Sequence, residues 1–125
     1  MDHLKVGNDL AVITDAGTPG ISDPAYRLVR EAITLSITVE SLPGPSAFLA
    51  GLTSSGLPTD RFIFEGFLPP KKGRKKRMLS VENEEATLIY YESPSRLLRT
   101  LKQLKQTLGD RPAVVARELT KLHEE

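Results

Sequence analysis

Asp15-Ala16-Gly17-Thr18-Pro19-Gly20-Ile21-Ser22-Asp23-Pro24 decides the fold, because it follows the apolar run Leu10-Ala11-Val12-Ile13-Thr14 and precedes a helical pattern. That order reads strand, loop, helix. Gly17 and Gly20 admit backbone conformations closed to other residues, and the two prolines stiffen a loop that glycine alone would leave loose. Asp23 is placed to cap the helix, with Pro24 at its first position, so the loop ends on free N–H groups. In open α/β sheets, ligands bind at such strand-to-helix turns. An ordinary connection is the plain alternative, but this loop of ten residues is longer than most.

A second turn has the same setting. Leu42-Pro43-Gly44-Pro45-Ser46-Ala47 lies between an expected strand at 37–41 and an expected helix at 45–54. Pro45 suits a first helical turn, Ser46 offers a hydroxyl, and Ala47 leaves room for a flat ligand beside the helix start. Neighbouring parallel strands would bring both turns to one sheet edge. Neither turn carries the dinucleotide or P-loop fingerprint.

Composition narrows the chemistry. The chain of 125 residues is 39% hydrophobic and 26% charged, within the range of ordinary globular sequences. It has no cysteine, and only His3 and His123 offer imidazole, which removes disulfides, zinc clusters and cysteine nucleophiles. No metal is therefore expected. No apolar run is long enough for a membrane span, and a cytoplasmic location is expected. Net charge is only +1, yet ten of the seventeen Lys and Arg fall between Lys71 and Lys105. Six of them form the heptapeptide Lys71-Lys72-Gly73-Arg74-Lys75-Lys76-Arg77, and Arg96, Arg99, Lys102 and Lys105 recur every three residues. Such runs are commonly solvated faces; two in one segment also suit nucleic acid.

Further along, the pattern predicts a helix at 24–32 and strands at 61–67, 87–91 and 113–117. Residues 71–85 read as helix. Ser93 is a candidate cap for a helix with Pro94 first, Leu97, Leu98, Leu101, Leu104 and Leu108 on one face, and Gly109 as its stop. Repeated β-α units of this kind predict an α/β fold with largely parallel sheets. A domain junction is expected near residues 55–61, and both sheets look incomplete, as if the chain were the middle of a longer polypeptide.

Taken together, six blocks resemble one family. They are residues 15–24, the turn at 42–47, Gly56-Leu57-Pro58-Thr59-Asp60-Arg61-Phe62, Phe64-Glu65-Gly66-Phe67-Leu68-Pro69, Tyr91-Glu92-Ser93-Pro94 and Arg117-Glu118-Leu119-Thr120-Lys121. In this order they are similar to the ribosomal RNA small subunit methyltransferase I family, within the tetrapyrrole methylase superfamily. The resemblance implies a two-domain α/β enzyme that binds S-adenosylmethionine and 2′-O-methylates a cytidine in 16S rRNA, as a homodimer. It implies that 1–56 closes the first domain and that 57–125 is the N-terminal part, and most, of the second. The family's first strand and glycine loop, and the end of its second domain, would then be missing, leaving the isolated chain inactive.

By position, the resemblance assigns Asp15, Gly17, Thr18, Ile21 and Ser22 to the methionine moiety of the cofactor. Ser46 and Ala47 would line its adenosine or methionine side, and Tyr91, Glu92, Ala116 and Arg117 would surround the adenine. Candidates for the base that takes the ribose proton are Asp15, Glu92, Glu118 and Lys121. For RNA the basic candidates are Lys71, Lys72, Arg74, Lys75, Lys76, Arg77, Arg96 and Arg99. Three positions depart from the family pattern: Ala25 and Ser36, where glycine is usual, and Ser95, where histidine is usual. Two other functions stay open, a methylase of porphyrin or corrin precursors and a non-catalytic RNA-binding or dimerisation module.

Overall fold

The computed structural model describes residues 2–22 and 24–125. Its architecture is α/β, in two compact units, Met1–Ala47 and Phe48–Glu125.

The first unit carries α1 (Asp2–Lys5) and α2 (Ala25–Thr34). Pro24 is the N-cap of α2 rather than its first helical residue, and the expected cap at Asp23 lies outside the described residues. Ala25 opens the helix, which its propensity favours. At the other end, Ser36 N–H donates to Ile33 O at 3.0 Å and Ile37 N–H to Ala32 O at 2.9 Å. That bond pair is a Schellman motif, which places the residue after the cap in the left-handed region. Ser36 is there, at φ +56°, so a serine occupies the conformation that glycine fills without cost.

Helix α3 (Ala47–Ser54) bridges to the second unit. It starts two residues after the expected position, leaving Pro45 in the turn. In the second unit, β1 (Phe62–Phe67) and β2 (Thr87–Tyr91) form a two-stranded parallel sheet, joined through α4 (Arg74–Leu79) and followed by α5 (Pro94–Leu108). Leu52, Leu68, Met78, Val81 and Ala86 are buried and make its core. α5 keeps its expected bounds, with Ser93 as N-cap, Pro94 first and Gly109 at φ +77°. Leu98 is off the packed face, 68% exposed, because it stands 100° around the helix from Leu97.

α4 is shorter than expected at both ends. Gly73 adopts φ +84° as its N-cap, so Lys71 and Lys72 precede the helix. After Leu79 the backbone passes into i→i−3 turns through Val81, Glu82 and Glu84. Acidic side chains at 82, 84 and 85 oppose the dipole at a helix C-terminus. Glu84 instead accepts Ala86 N–H at 3.0 Å and so turns the chain into β2.

Three expected strands do not form. Residues 10–14, 37–41 and 113–117 have no ladder partner among the described residues. Leu10, Val12, Ile13, Val39, Val114 and Val115 are exposed. Local alternation specifies a strand's faces, but only a neighbouring strand satisfies its N–H and C=O groups.

Candidate functional site

In the first unit, the glycine-proline loop is shaped by one tight turn and one side-chain tie. Ile21 N–H donates to Thr18 O at 3.2 Å, with Pro19 and Gly20 between them and Gly20 at φ +84°. Proline followed by a positive-φ glycine is the signature of a type II turn. The Thr18 hydroxyl then donates to Pro45 O at 2.8 Å, so the loop holding Asp15, Gly17, Thr18, Ile21 and Ser22 is tied to the turn holding Ser46 and Ala47. Both expected ligand turns thus come together inside one compact unit.

Gly17 sits at φ +74°, and a Cβ built there meets nothing within 4 Å. Conformation, not crowding by the protein, demands glycine, and the open side leaves room for a ligand. Ser22 also takes a left-handed φ of +61°, strained for a residue with a Cβ. An open cleft of about 480 Å³ lies here. Val12, Ile13, Thr14 and Asp15 form one part of its wall, and Pro24, Ala25 and Leu28 the other. The wall is largely apolar and carries the carboxylate of Asp15.

In the second unit, β2 delivers Tyr91 and Glu92 to the carboxyl end of the sheet. The Glu92 side chain is 6% exposed and takes four donors. Oε1 accepts Ser93 N–H at 2.9 Å and Arg96 Nε at 2.8 Å, while Oε2 accepts the Thr100 hydroxyl at 2.7 Å and Arg74 Nη2 at 3.4 Å. Burial pushes its pKa up, but the bonds from Thr100, Ser93 and Arg96 outweigh it and hold the pKa down at about 2. A carboxylate so stabilised is a weak proton acceptor at neutral pH. Glu92 is thus held as an anion inside a cluster of donors.

Its partner is enclosed to the same degree. Arg74 is 5% exposed, and its guanidinium also meets Thr100 Oγ1 at 2.5 Å, Gln103 Oε1 at 2.9 Å and Pro69 O at 3.3 Å. All three nitrogens of its guanidinium thus have partners inside the protein. Arg96 is committed to Glu92, and Arg77 Nε is 2.5 Å from the buried carboxylate of Glu65. Lys71, Lys72, Lys75, Lys76, Arg99 and Lys102 are exposed and have no ion-pair partner among the described residues. The basic surface is smaller than the basic sequence.

Near the C-terminus, Arg117 and Glu125 exchange backbone bonds of 2.7 and 3.0 Å and an ion pair of 3.1 Å. Lys121 pairs with Glu118 at 3.3 Å, and Ala116 lies 3.7 Å from the place a Cβ would take on Gly51 of α3. These residues form one exposed turn against α3. Sequence reasoning missed Thr100 and Gln103; the signal was present, since Thr100 shares a helix face with Leu97, Leu104 and Leu108. Among the described residues no cluster of His, Asp or Glu is suited to a metal, and no helix is long and apolar enough to cross a membrane.

The model of the tetrapyrrole (corrin/porphyrin) methylases matches residues 1–125, the whole chain. The chain belongs to this family. Among curated relatives, this methylase chain is 52% identical to ribosomal RNA small subunit methyltransferase I of Pseudomonas aeruginosa over 99% of its own length and 45% of the relative's. It is 47% identical to the protein of that name in Thermotoga maritima, over 98% of the chain and 55% of the relative. For Escherichia coli O157:H7 the figures are 50%, 97% and 43%. The methylase chain thus spans about half the length of the curated relatives it matches.

Proposed function

We propose that this chain is the cofactor-loop and substrate-surface part of an S-adenosylmethionine-dependent enzyme that 2′-O-methylates a cytidine ribose in 16S rRNA, working in the cytoplasm as a homodimer. One observation carries the reading: the loop at 15–22 is fastened to the turn at 42–47 through Thr18 and Pro45, in a chain about half identical to named rRNA methyltransferases. The boundary between the domains is proposed at residues 55–61, with 1–56 and 57–125 on either side.

When bound, the cofactor supplies a methyl group on a sulfonium, open to in-line attack. Asp15 receives the ammonium of its methionine part, and backbone at Gly17, Thr18, Ile21 and Ser22 follows that part around the loop. Ser46 and Ala47 line the start of α3, and Tyr91, Ala116 and Arg117 are proposed around the adenine. Positioning and exclusion of water can supply much of the acceleration in such a displacement. For the ribose proton the proposed acceptors are Glu118 and Lys121, exposed and paired with one another at 3.3 Å, beside Asp15 and Glu92, which the ammonium and the Arg74–Arg96–Thr100 cluster engage.

The substrate is proposed to lie on the lysines that the fold leaves at the surface. Replacing Lys72, Lys75 and Lys76 together with glutamine should weaken binding of the full-length protein to small-subunit rRNA. It should also flatten the salt dependence, by roughly 0.7–0.9 in log–log slope for each phosphate no longer neutralised. S-adenosylmethionine affinity should not change. Arg74 and Arg77 are spared because they hold Glu92 and Glu65. Unchanged RNA affinity and slope would mark the run as a solvated face and favour a small-molecule substrate.

A further inference from the structure

The carboxyl edge of the β1/β2 sheet carries an aromatic arrangement of which the methyl-transfer reading uses only Tyr91. Regular pairing would set Glu65 beside Tyr90 and Gly66 beside Tyr91. Instead the register shifts between Phe64 and Gly66, so that Gly66 pairs with Tyr90 and Phe67 with Tyr91. Glu65 is the extra residue of a β-bulge. Bulges bend a strand and re-aim the side chains after them. Here the shift reverses the parity of β1, and Phe64 and Phe67, three residues apart, both meet the ring of Tyr91. Their centroids lie 5.2 and 5.3 Å from it, the first edge-on and the second tilted.

Phe64 continues inward to Phe48 at 4.7 Å, whereas Phe67 is 56% exposed. A strand irregularity thus brings a large aromatic ring to the surface and braces it from behind. Basic residues follow closely in sequence. Lys71 and Lys72 follow Phe67 by four and five residues, within roughly 18 Å even for a fully extended chain. Arg74 fastens the start of α4 to this same edge through Pro69 O and Glu92. An exposed, braced aromatic ring followed within five residues by surface lysines suits single-stranded RNA, with one base stacked and the backbone neutralised.

We infer that Phe67, supported by Tyr91, is a stacking platform for an unpaired base of the substrate RNA. The inference rests on the rRNA reading and adds to it a residue that grips a base rather than phosphate. The test uses the full-length protein, a single-stranded oligonucleotide of 16S rRNA sequence with one pyrrolocytidine, and two variants. Phe67→Leu keeps apolar bulk and removes the π-face; Phe67→Trp keeps the π-face. Phe67→Leu should raise the RNA Kd about tenfold and abolish the fluorescence quenching that stacking causes, while Phe67→Trp retains both. The S-adenosylmethionine Kd of the leucine variant should equal that of wild type.

Equal RNA Kd and quenching in the leucine variant would overturn the inference. A loss of S-adenosylmethionine affinity without loss of RNA affinity would assign the platform to the cofactor's adenine and overturn it equally. The Lys72, Lys75 and Lys76 variant separates the two levels. A salt slope that depends on those lysines, with no effect at Phe67, sinks the platform alone; no RNA binding by wild type sinks the rRNA reading and the platform with it.

Discussion

Replacing Glu92 with glutamine should destabilise the protein more than any other single change at its surface or sites, by about 3 kcal/mol at pH 6. The amide keeps the shape and leaves Arg74 buried without its counter-charge. Removing one partner of a buried pair is costlier than removing both, because the remaining ion has lost its solvent and gained nothing. Arg74→Met should cost less, since Arg96, Thr100 and Ser93 N–H continue to satisfy the carboxylate. The double variant should then be more stable than Glu92→Gln alone. Urea unfolding of the four proteins measures this directly.

The same pair has a pH signature with a fixed sign. The Glu92 pKa is depressed from 4.5 to about 2, so its contribution to stability is fully present above about pH 4.5 and is lost as pH falls toward 2. Wild type and Glu92→Gln should differ most at pH 6, and their urea midpoints should approach one another between pH 4.5 and 3. A gap that stayed constant through that window would mean that Glu92 is not held as an anion by its neighbours.

Gly17→Val should weaken cofactor binding strongly while leaving the fold largely intact. At φ +74° a β-branched residue is strained by about 2 kcal/mol or more, and the loop relieves the strain by leaving this conformation. If the binding conformation is displaced by that amount, S-adenosylmethionine affinity falls roughly 30-fold. The rest of the unit has no reason to respond, since nothing lies within 4 Å of the new Cβ. Calorimetry with the full-length variant reads the affinity, and circular dichroism reads the fold. Normal affinity in a folded Val variant would reduce the loop to a structural connection.

Much of this was legible locally. Pro-Gly at 19–20 announced a turn, Ser93-Pro94 and Gly109 bounded α5, and β-branched and aromatic residues marked β1 and β2, because each of these signals acts within a few residues. The strands expected at 10–14, 37–41 and 113–117 failed where the deciding partner is distant in sequence: alternation cannot say which strand supplies the other half of a ladder. Arg74 was misread for a similar reason. Within its heptapeptide it is one cation among six, and only the packing of α4 on α5 turns it inward to Glu92, Thr100 and Gln103. The bulge at Glu65 left no mark on the alternation of Phe62 and Phe64, so the exposure of Phe67 could not be anticipated.

The most direct measurement incubates full-length protein with small ribosomal subunits and S-adenosylmethionine bearing a trideuterated methyl group, then digests the RNA to nucleosides for mass spectrometry. The expected product is 2′-O-methylcytidine carrying the three deuteriums, formed far more slowly by Gly17→Val when the cofactor is below its wild-type Kd. Label on a base, label on an added porphyrin precursor but not on RNA, or no transfer at all would contradict the proposed function.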